Sequence, residues 1–519
     1  MKYESTILKR LIDTYGVVGN PKYVSEIIKQ FIIQGKERYP ELFTYQADWL
    51  AHIDEFGLNP SYTVSYTGQS IYAPNTLERP VKSASLKGQT LVNLFDRNSM
   101  TTEGLKYTFD NGVYTINTSK TWCKMIFTPN LVQNRKYLVM LSTSINDVLI
   151  YYRNSTNDAT KICSVGQFPF IFTNPIDNLA NVSIEFPSIV TNGTISQPMF
   201  IEYQDGMENW DISYFEGMQS VQLPRLTTTG KNLFNPSWKK DPNKVYPFKL
   251  KKGTTLTLST KDSIPSKGGN LLFTTVSGRE KWFSINKGAT KSKTTLDEDV
   301  YQLKNMLEGT IEYQLEIGSV ATTYEPYQSN ILTSPKDLEM RGIGGVKDEL
   351  NLKTGELTQR IGEVVLDGSE DWSATGGNFR LNIPNVKGYK DLKWGQKSAM
   401  CNLYPSFAGE ETDCYIISEW DGNQIRIHDI NTTLEELKTK LAKNPLHVIF
   451  ILNDESVKTL ELTVTDQNGQ NVKQLMSFKG GTHFNTRSSE GSLLPTVSVS
   501  VETDLEETLK MCSLDGNTM

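Results

Sequence analysis

The stretch Leu338–Trp372, LEMRGIGGVKDELNLKTGELTQRIGEVVLDGSEDW, leaves its chain few local structures to choose from. A short apolar run leads into Gly342–Gly345, and a strand-like piece follows at Glu349–Leu352. Asn351 and Thr354 suit the edges of a turn, and Gly355 reaches positive φ at little steric cost. Beyond the turn, Ile361, Val364, Val365 and Leu366 favour extended backbone. The spacing predicts a hairpin that turns at Lys353–Glu356 and returns along Leu357–Leu366. A hairpin alone says nothing about function.

Residues 1–58 are the strongly helical part of the chain. Ile7, Leu8, Leu11, Ile12 and Tyr15 share one face, and Val24, Ile27, Ile28 and Phe31 repeat at helical spacing. Asn20 suits an N-cap with Pro21 behind it, and Pro40 opens a third run. Three short helices are expected there. From Ser61 the period falls to two. Ser61–Tyr66 alternates, Thr67–Ser70 turns, and Ile71–Tyr72 resumes, with a β-type linker expected over 59–95.

An internal repeat follows. Gly88-Gln89-Thr90-Leu91-Val92-Asn93-Leu94-Phe95 is echoed by Gly230-Lys231-Asn232-Leu233-Phe234. The closings also echo: Pro198–Glu202 with Tyr214-Phe215-Glu216, and Gln314–Gly318 with Tyr324-Glu325-Pro326-Tyr327. Strands are predicted at Val113–Ile116, Tyr137–Leu141 and Val182–Ile184 in the first repeat. In the second they fall at Thr254–Thr260, Leu271–Phe273 and Lys281–Phe283. Many short strands punctuated by turns predict two β-sandwiches of one type, over 96–226 and 227–333. A hairpin linker at 334–357 and a C-terminal sandwich at 358–501 are expected to follow, with a polar tail at 502–519. The last sandwich carries one predicted helix. Thr432 or Thr433 caps it, Glu435 and Glu436 sit in its first turn, Leu434, Leu437 and Leu441 share a face, and Asn444-Pro445 ends it. Val448–Leu452 is expected as a buried strand and Thr496–Val501 as the closing one.

Composition narrows the function classes. Charge is nearly balanced, 53 basic against 59 acidic residues for a net −6, so neither a nucleic-acid surface nor an acidic tail is indicated. Five cysteines at 123, 163, 401, 414 and 512 form no CxxC pair and read as reduced, structural thiols. The first residues do not read as a secretory signal, and no apolar run reaches the ~20 residues of a membrane span. The four histidines, 52, 428, 447 and 483, have no zinc-ligand spacing, and neither a phosphate-binding loop nor a nucleophile elbow occurs. Carboxylate neighbours such as Asp367 with Glu370 and Glu410 with Glu411 read as loop residues, not as a catalytic pair spanning a cleft. No catalytic, metal or cofactor site is expected. Rings among polar neighbours, Trp394, Tyr404 and Trp420, are the candidates to meet the apolar face of a sugar.

The central stretch resembles a segment of tail, baseplate and fibre structural proteins of phages that infect Gram-positive bacteria. The matching residues are Lys347-Asp348, Leu350–Leu352, Thr354–Glu356, Arg360–Glu363, Val364–Glu370 and Trp372. The tracts 86–94 and 223–234 and the second repeat's closing, Gln314–Tyr327, are similar to parts of the same proteins. The resemblance implies a mainly β, multi-domain chain of tandem jelly-roll-like sandwiches with a small N-terminal helical module. It implies a structural, non-enzymatic role in a virion assembled in a bacterial cytoplasm. The N-terminal module would join other virion proteins, the chain would form a homo-oligomer, a trimer by preference, and adhesion to cell-wall glycan is a further implication. A dedicated receptor-binding protein and a glycan depolymerase are the alternatives.

Overall fold

The computed structural model describes residues 61–504, apart from 74–79, 96, 98–99, 130, 155–158, 165–168, 176–178, 205–206, 208–209, 211, 224, 240, 242–243, 251, 263, 276–277, 308, 410–411, 473–477, 479 and 487–492. The helical module expected at 1–58 lies outside the described residues. What is described is mostly strand, with one α-helix, Leu434–Lys443, and it divides into several sheets and hydrophobic cores.

The chain keeps returning to a hub. Its larger sheet has seven strands, in the order Ser61–Gly68, Thr496–Asp504, Val81–Lys87, Glu349–Asn351, Glu356–Leu366, Leu446–Thr459 and Ala399–Cys401. A five-stranded sheet sets Ser70–Ala73, Thr482–Asn485, Arg225–Thr229, Ser329–Thr333 and Thr463–Asp466 side by side. Leu86, Leu350, Leu357, Val497 and Val499 of the first sheet share one core with Leu226, Leu332, Val464 and Phe484 of the second. Burying each such side chain is worth about 1.5–3 kcal/mol. That gain outweighs the chain entropy of pairing Ser61 with Asp504 and Gly68 with Val497, because loop-closure cost grows only slowly with length.

This arrangement differs from a row of sequential domains. The segments read as linkers, 59–95 and 334–357, supply hub strands, and the strand Thr496–Asp504 runs three residues into the segment read as a tail. A strand with one unpaired edge needs a partner, and here the partners lie at opposite ends of the described chain.

Two sandwiches are inserted into the hub. In the second, Val245–Leu250, Val300–Met306, Gly269–Thr275 and Glu280–Ile285 form one sheet, and Lys291–Thr295, Thr255–Thr260 and Tyr313–Ile317 form the other. The first has the same seven strands in the same order. Cys123–Phe127, Leu179–Phe186, Leu149–Asn154 and Ala159–Ser164 face Phe170–Thr173, Lys136–Thr143 and Gly193–Glu202. It adds Thr101–Glu103 to one sheet and the hairpin Leu105–Asp110, Val113–Thr118 to the other. Successive strands cross repeatedly between sheets, as a jelly roll requires.

The shared Asn-Leu-Phe openings latch both necks. Asn93 is buried, donates from Nδ2 to the carbonyls of Pro198 (3.2 Å) and Phe215 (2.9 Å), and accepts at Oδ1 from the N–H groups of Phe95 (3.1 Å) and Phe200 (3.0 Å). Asn232 repeats the pattern with the Tyr313 (3.2 Å) and Glu325 (2.8 Å) carbonyls and the Phe234 (2.9 Å) and Leu315 (3.1 Å) amides. Only a side-chain amide supplies two donors and two acceptor sites at one point. Each asparagine ties a sandwich's entry to its last strand and its exit.

A third unit grows from the same hub. The sheet Ser373–Thr375, Asn378–Asn382, Gln424–Asp429 and Cys414–Ser418 packs Phe379, Leu381, Ile425 and Ile427 against Val448 and Phe450 and against Leu437 and Leu441 of the helix. That helix opens with a capping box, in which the Thr433 side chain accepts from the Glu436 amide and Glu436 accepts from the Thr433 amide.

Candidate functional site

The signature polar residues of the central stretch turn inward onto backbone. Asp348 is fully buried, and its carboxylate accepts the N–H groups of Arg341 (2.8 Å), Arg360 (2.7 Å) and Ile361 (3.0 Å). These bonds hold the bulge at Gln359/Ile361, where Glu356–Leu366 shifts register against Leu446–Thr459. Burial raises the Asp348 pKa, with the three N–H groups working against it. Arg341 pairs with Glu339 and Glu363, and Arg360 with Glu349 (3.5 Å) and Glu455 (3.0 Å). Glu370 accepts from the Asp367 (2.8 Å) and Gly368 (3.0 Å) amides and from the Trp372 indole (3.1 Å), so the Asp367/Glu370 pair closes a turn. The Asn351 side chain accepts from the Lys353 (2.9 Å) and Thr354 (3.2 Å) amides, and Gly355 stands at φ +73° with no room for a Cβ against the Leu460 carbonyl. Glu410 and Glu411 lie outside the described residues.

Two of the three predicted rings are exposed on the third unit. Trp394 is 76% exposed and Trp420 is 59% exposed. They flank the short 3-10 turn Tyr389–Asp391, whose Lys390 amide donates to the Trp420 carbonyl (3.2 Å). The indole of Trp394 stands edge-on to Tyr389 (6.1 Å between centroids) and Phe407 (5.8 Å). The Gly395 amide donates to the Tyr389 hydroxyl (2.9 Å), which fixes the loop beneath the ring. Lys390 pairs with Asp421 at 3.1 Å beside Trp420.

Tyr404 does not belong to this surface. It is 4% exposed, within the core of the third unit. Lys440 donates to its hydroxyl (3.3 Å) and lies 4.6 Å from the ring centroid, while burial and then the Asp429 charge raise its pKa. Polar neighbours in sequence suggested exposure, but the bend after the buried strand Ala399–Cys401 turns the ring inward.

One sheet face of the third unit, reached from Trp394 through Phe407 (5.8 Å) and Tyr415 (5.2 Å), holds residues that the sequence alone did not single out. Glu419 sits between Arg380 (2.6 Å) and Arg426 (3.6 Å), leaving one positive charge in excess. The His428 ring stacks on Tyr415 at 4.9 Å and its Nδ1 lies 2.9 Å from the Asn378 Oδ1. Strand alternation was the available signal, since Asn378, Arg380, Arg426 and His428 alternate with the buried Phe379, Leu381, Ile425 and Ile427. Exposed rings beside cations and amides can stack on a sugar's apolar face and hydrogen-bond its hydroxyls.

Among the described residues, no group of three or more His, Cys, Asp or Glu is placed to hold a metal ion, and no helix is long and apolar enough to cross a membrane. The described cysteines, 123, 163, 401 and 414, are free thiols, and burial pushes Cys163 and Cys401 up to about 12.

No protein-family model and no curated protein matches the chain. Among solved structures, a chain of Clostridium perfringens ZmpB with two CBM32 domains and a catalytic domain overlaps 56% of this chain and 39% of its own length, at 12% identity and a TM-score of 0.15. Bacillus subtilis oxalate decarboxylase overlaps 42% of this chain and 76% of its own, at 10% identity and a TM-score of 0.10. Likenesses this slight carry no argument, so the mainly β, multi-domain class rests on the strands and sheets themselves.

Proposed function

We propose that the chain is a structural protein of a phage tail, baseplate or fibre that carries sandwich modules on a hub. The observation that carries this reading is the use made of the signature residues. Asp348, Arg360, Glu363 and Glu370 hold backbone and neighbouring strands in place, which supports reading the phage-like motif as a scaffold motif. Residues 1–58 are the proposed attachment module for other virion proteins, and the chain works as a homo-oligomer. Mass spectrometry of purified particles of the encoding phage should find several copies per virion. Presence in lysate with absence from purified particles would overturn the proposal. A chain lacking 1–58 should fold and stay out of particles.

Trp394 and Trp420 favour a second role, adhesion to cell-wall glycan. An exposed ring binds one sugar weakly, and many copies on one particle multiply that affinity. Trp394→Ala should lower particle adsorption with little change in melting temperature. Unchanged adsorption would assign receptor binding elsewhere.

A further inference from the structure

We infer a second binding site, for a neutral pyranose, in the cleft between the first sandwich and the third unit. The cleft encloses about 210 Å³, the space of about seven waters, which is the scale of one sugar ring with its hydroxyls. Three separate parts of the chain line it. Phe95 and Arg97 come from the entry of the first sandwich, Tyr214 and Glu216 from its exit, and Asn402 and Asn444 from the third unit.

The lining chemistry selects the ligand. Arg97 and Glu216 approach to 3.9 Å, with side chains 39% and 46% exposed, so the pair is loose and the cleft carries no net charge from it. A guanidinium, a carboxylate, a phenol and the Asn444 amide then offer donors and acceptors, as a ring of vicinal hydroxyls demands, while the Asn402 amide is held by the Pro445 carbonyl (3.1 Å) and the His447 N–H (3.0 Å). The Tyr214 hydroxyl donates to Glu216 Oε1 at 2.9 Å, and burial followed by this bond raises its pKa, so it stays protonated. Phe95 and Tyr114 are buried behind these groups and give the cleft an apolar wall. A phosphate or carboxylate ligand would find the Arg97 charge already offset by Glu216. Among the described lining residues Glu216 is the one carboxylate, whereas glycoside hydrolysis takes two, so the described lining suits binding.

Two contacts fix the walls. Glu202, at the end of the first sandwich, is bridged by Arg135 (3.5 Å) from its own unit and by Lys397 (2.6 Å) from the third. Arg135 also donates to the Ser406 carbonyl (2.9 Å). The site therefore exists only while the two units stay docked. It is distinct from the Trp394 surface and does not depend on the virion reading.

The test uses the full chain with methyl glycosides of glucose, galactose and N-acetylglucosamine. Saturation-transfer NMR and calorimetric titration should detect at least one of them at millimolar affinity. Tyr214→Phe and Glu216→Gln should each weaken that binding about five- to tenfold, the effect of losing one well-placed hydrogen bond. Trp394→Ala should leave it unchanged. Absence of transfer to all three glycosides would overturn the inference. So would wild-type affinity in both cleft variants with unchanged melting temperatures, or loss of binding in Trp394→Ala alone.

Discussion

Replacing Asn232 with alanine should loosen the second sandwich at its neck and leave the first intact. The substitution removes two donated bonds, to the Tyr313 and Glu325 carbonyls, and two accepted ones, from the Phe234 and Leu315 amides. Asn232 is 2% exposed, so water cannot easily replace the lost partners. At about 1 kcal/mol net per bond, with an added cost for buried groups left unsatisfied, the loss comes to about 3–5 kcal/mol. A chain with several units does not unfold in one step, so a single melting temperature would blur the effect. Amide hydrogen exchange resolves it by site. Protection of the Phe234 and Leu315 amides should fall by roughly a hundredfold or more, while Phe95 and Phe200 keep theirs. Asn93→Ala should produce the mirror result in the first sandwich. Asn232→Asp keeps both acceptor sites but loses both donors and sets a buried charge beside two carbonyls, so it should be no milder. A fall of less than about fivefold at Phe234 and Leu315, or an equal fall in both sandwiches, would refute the latch.

Further outcomes follow from the hub. Asp348→Asn turns an amide N–H₂ toward at least one of the three backbone N–H groups that the carboxylate now accepts, and should cost about 2–4 kcal/mol, read as a lowered urea midpoint. His483 is buried beside Tyr72, ring centroids 4.6 Å apart, and burial holds its pKa down to about 4 from the ordinary 6.5. The unfolded chain therefore takes up this proton first, so the stabilisation is full above pH 6.5 and is lost as pH falls toward 4, by about 3 kcal/mol at most. His483→Gln should flatten urea midpoints measured between pH 7 and pH 4; an unchanged slope would show that other groups set the acid response. Gly355→Ala, which forces a Cβ to within 2.7 Å of the Leu460 carbonyl at φ +73°, should lower stability by about 1–3 kcal/mol.

Local chemistry was legible in the chain itself. The turn at Lys353–Glu356, the capped helix from Leu434 and the alternating strands form where residue type and spacing place them, because each depends on neighbours a few residues away. The two Asn-Leu-Phe openings marked a true structural repeat for the same reason: one side chain must meet the same backbone groups in both sandwiches. Exposure of single rings was only partly legible. Trp394 and Trp420 reach the surface, and Tyr404 is carried inward by a bend that its polar neighbours do not announce. Only the tertiary structure decided how the strands are shared out. Ser61–Gly68 takes Thr496–Asp504 as its partner, and the Glu356–Leu366 and Leu446–Thr459 strands each serve both the hub and the third unit. An alternating strand specifies which face it buries but not which edge it joins. That choice falls to whichever distant strand completes both the hydrogen-bond ladder and the common core.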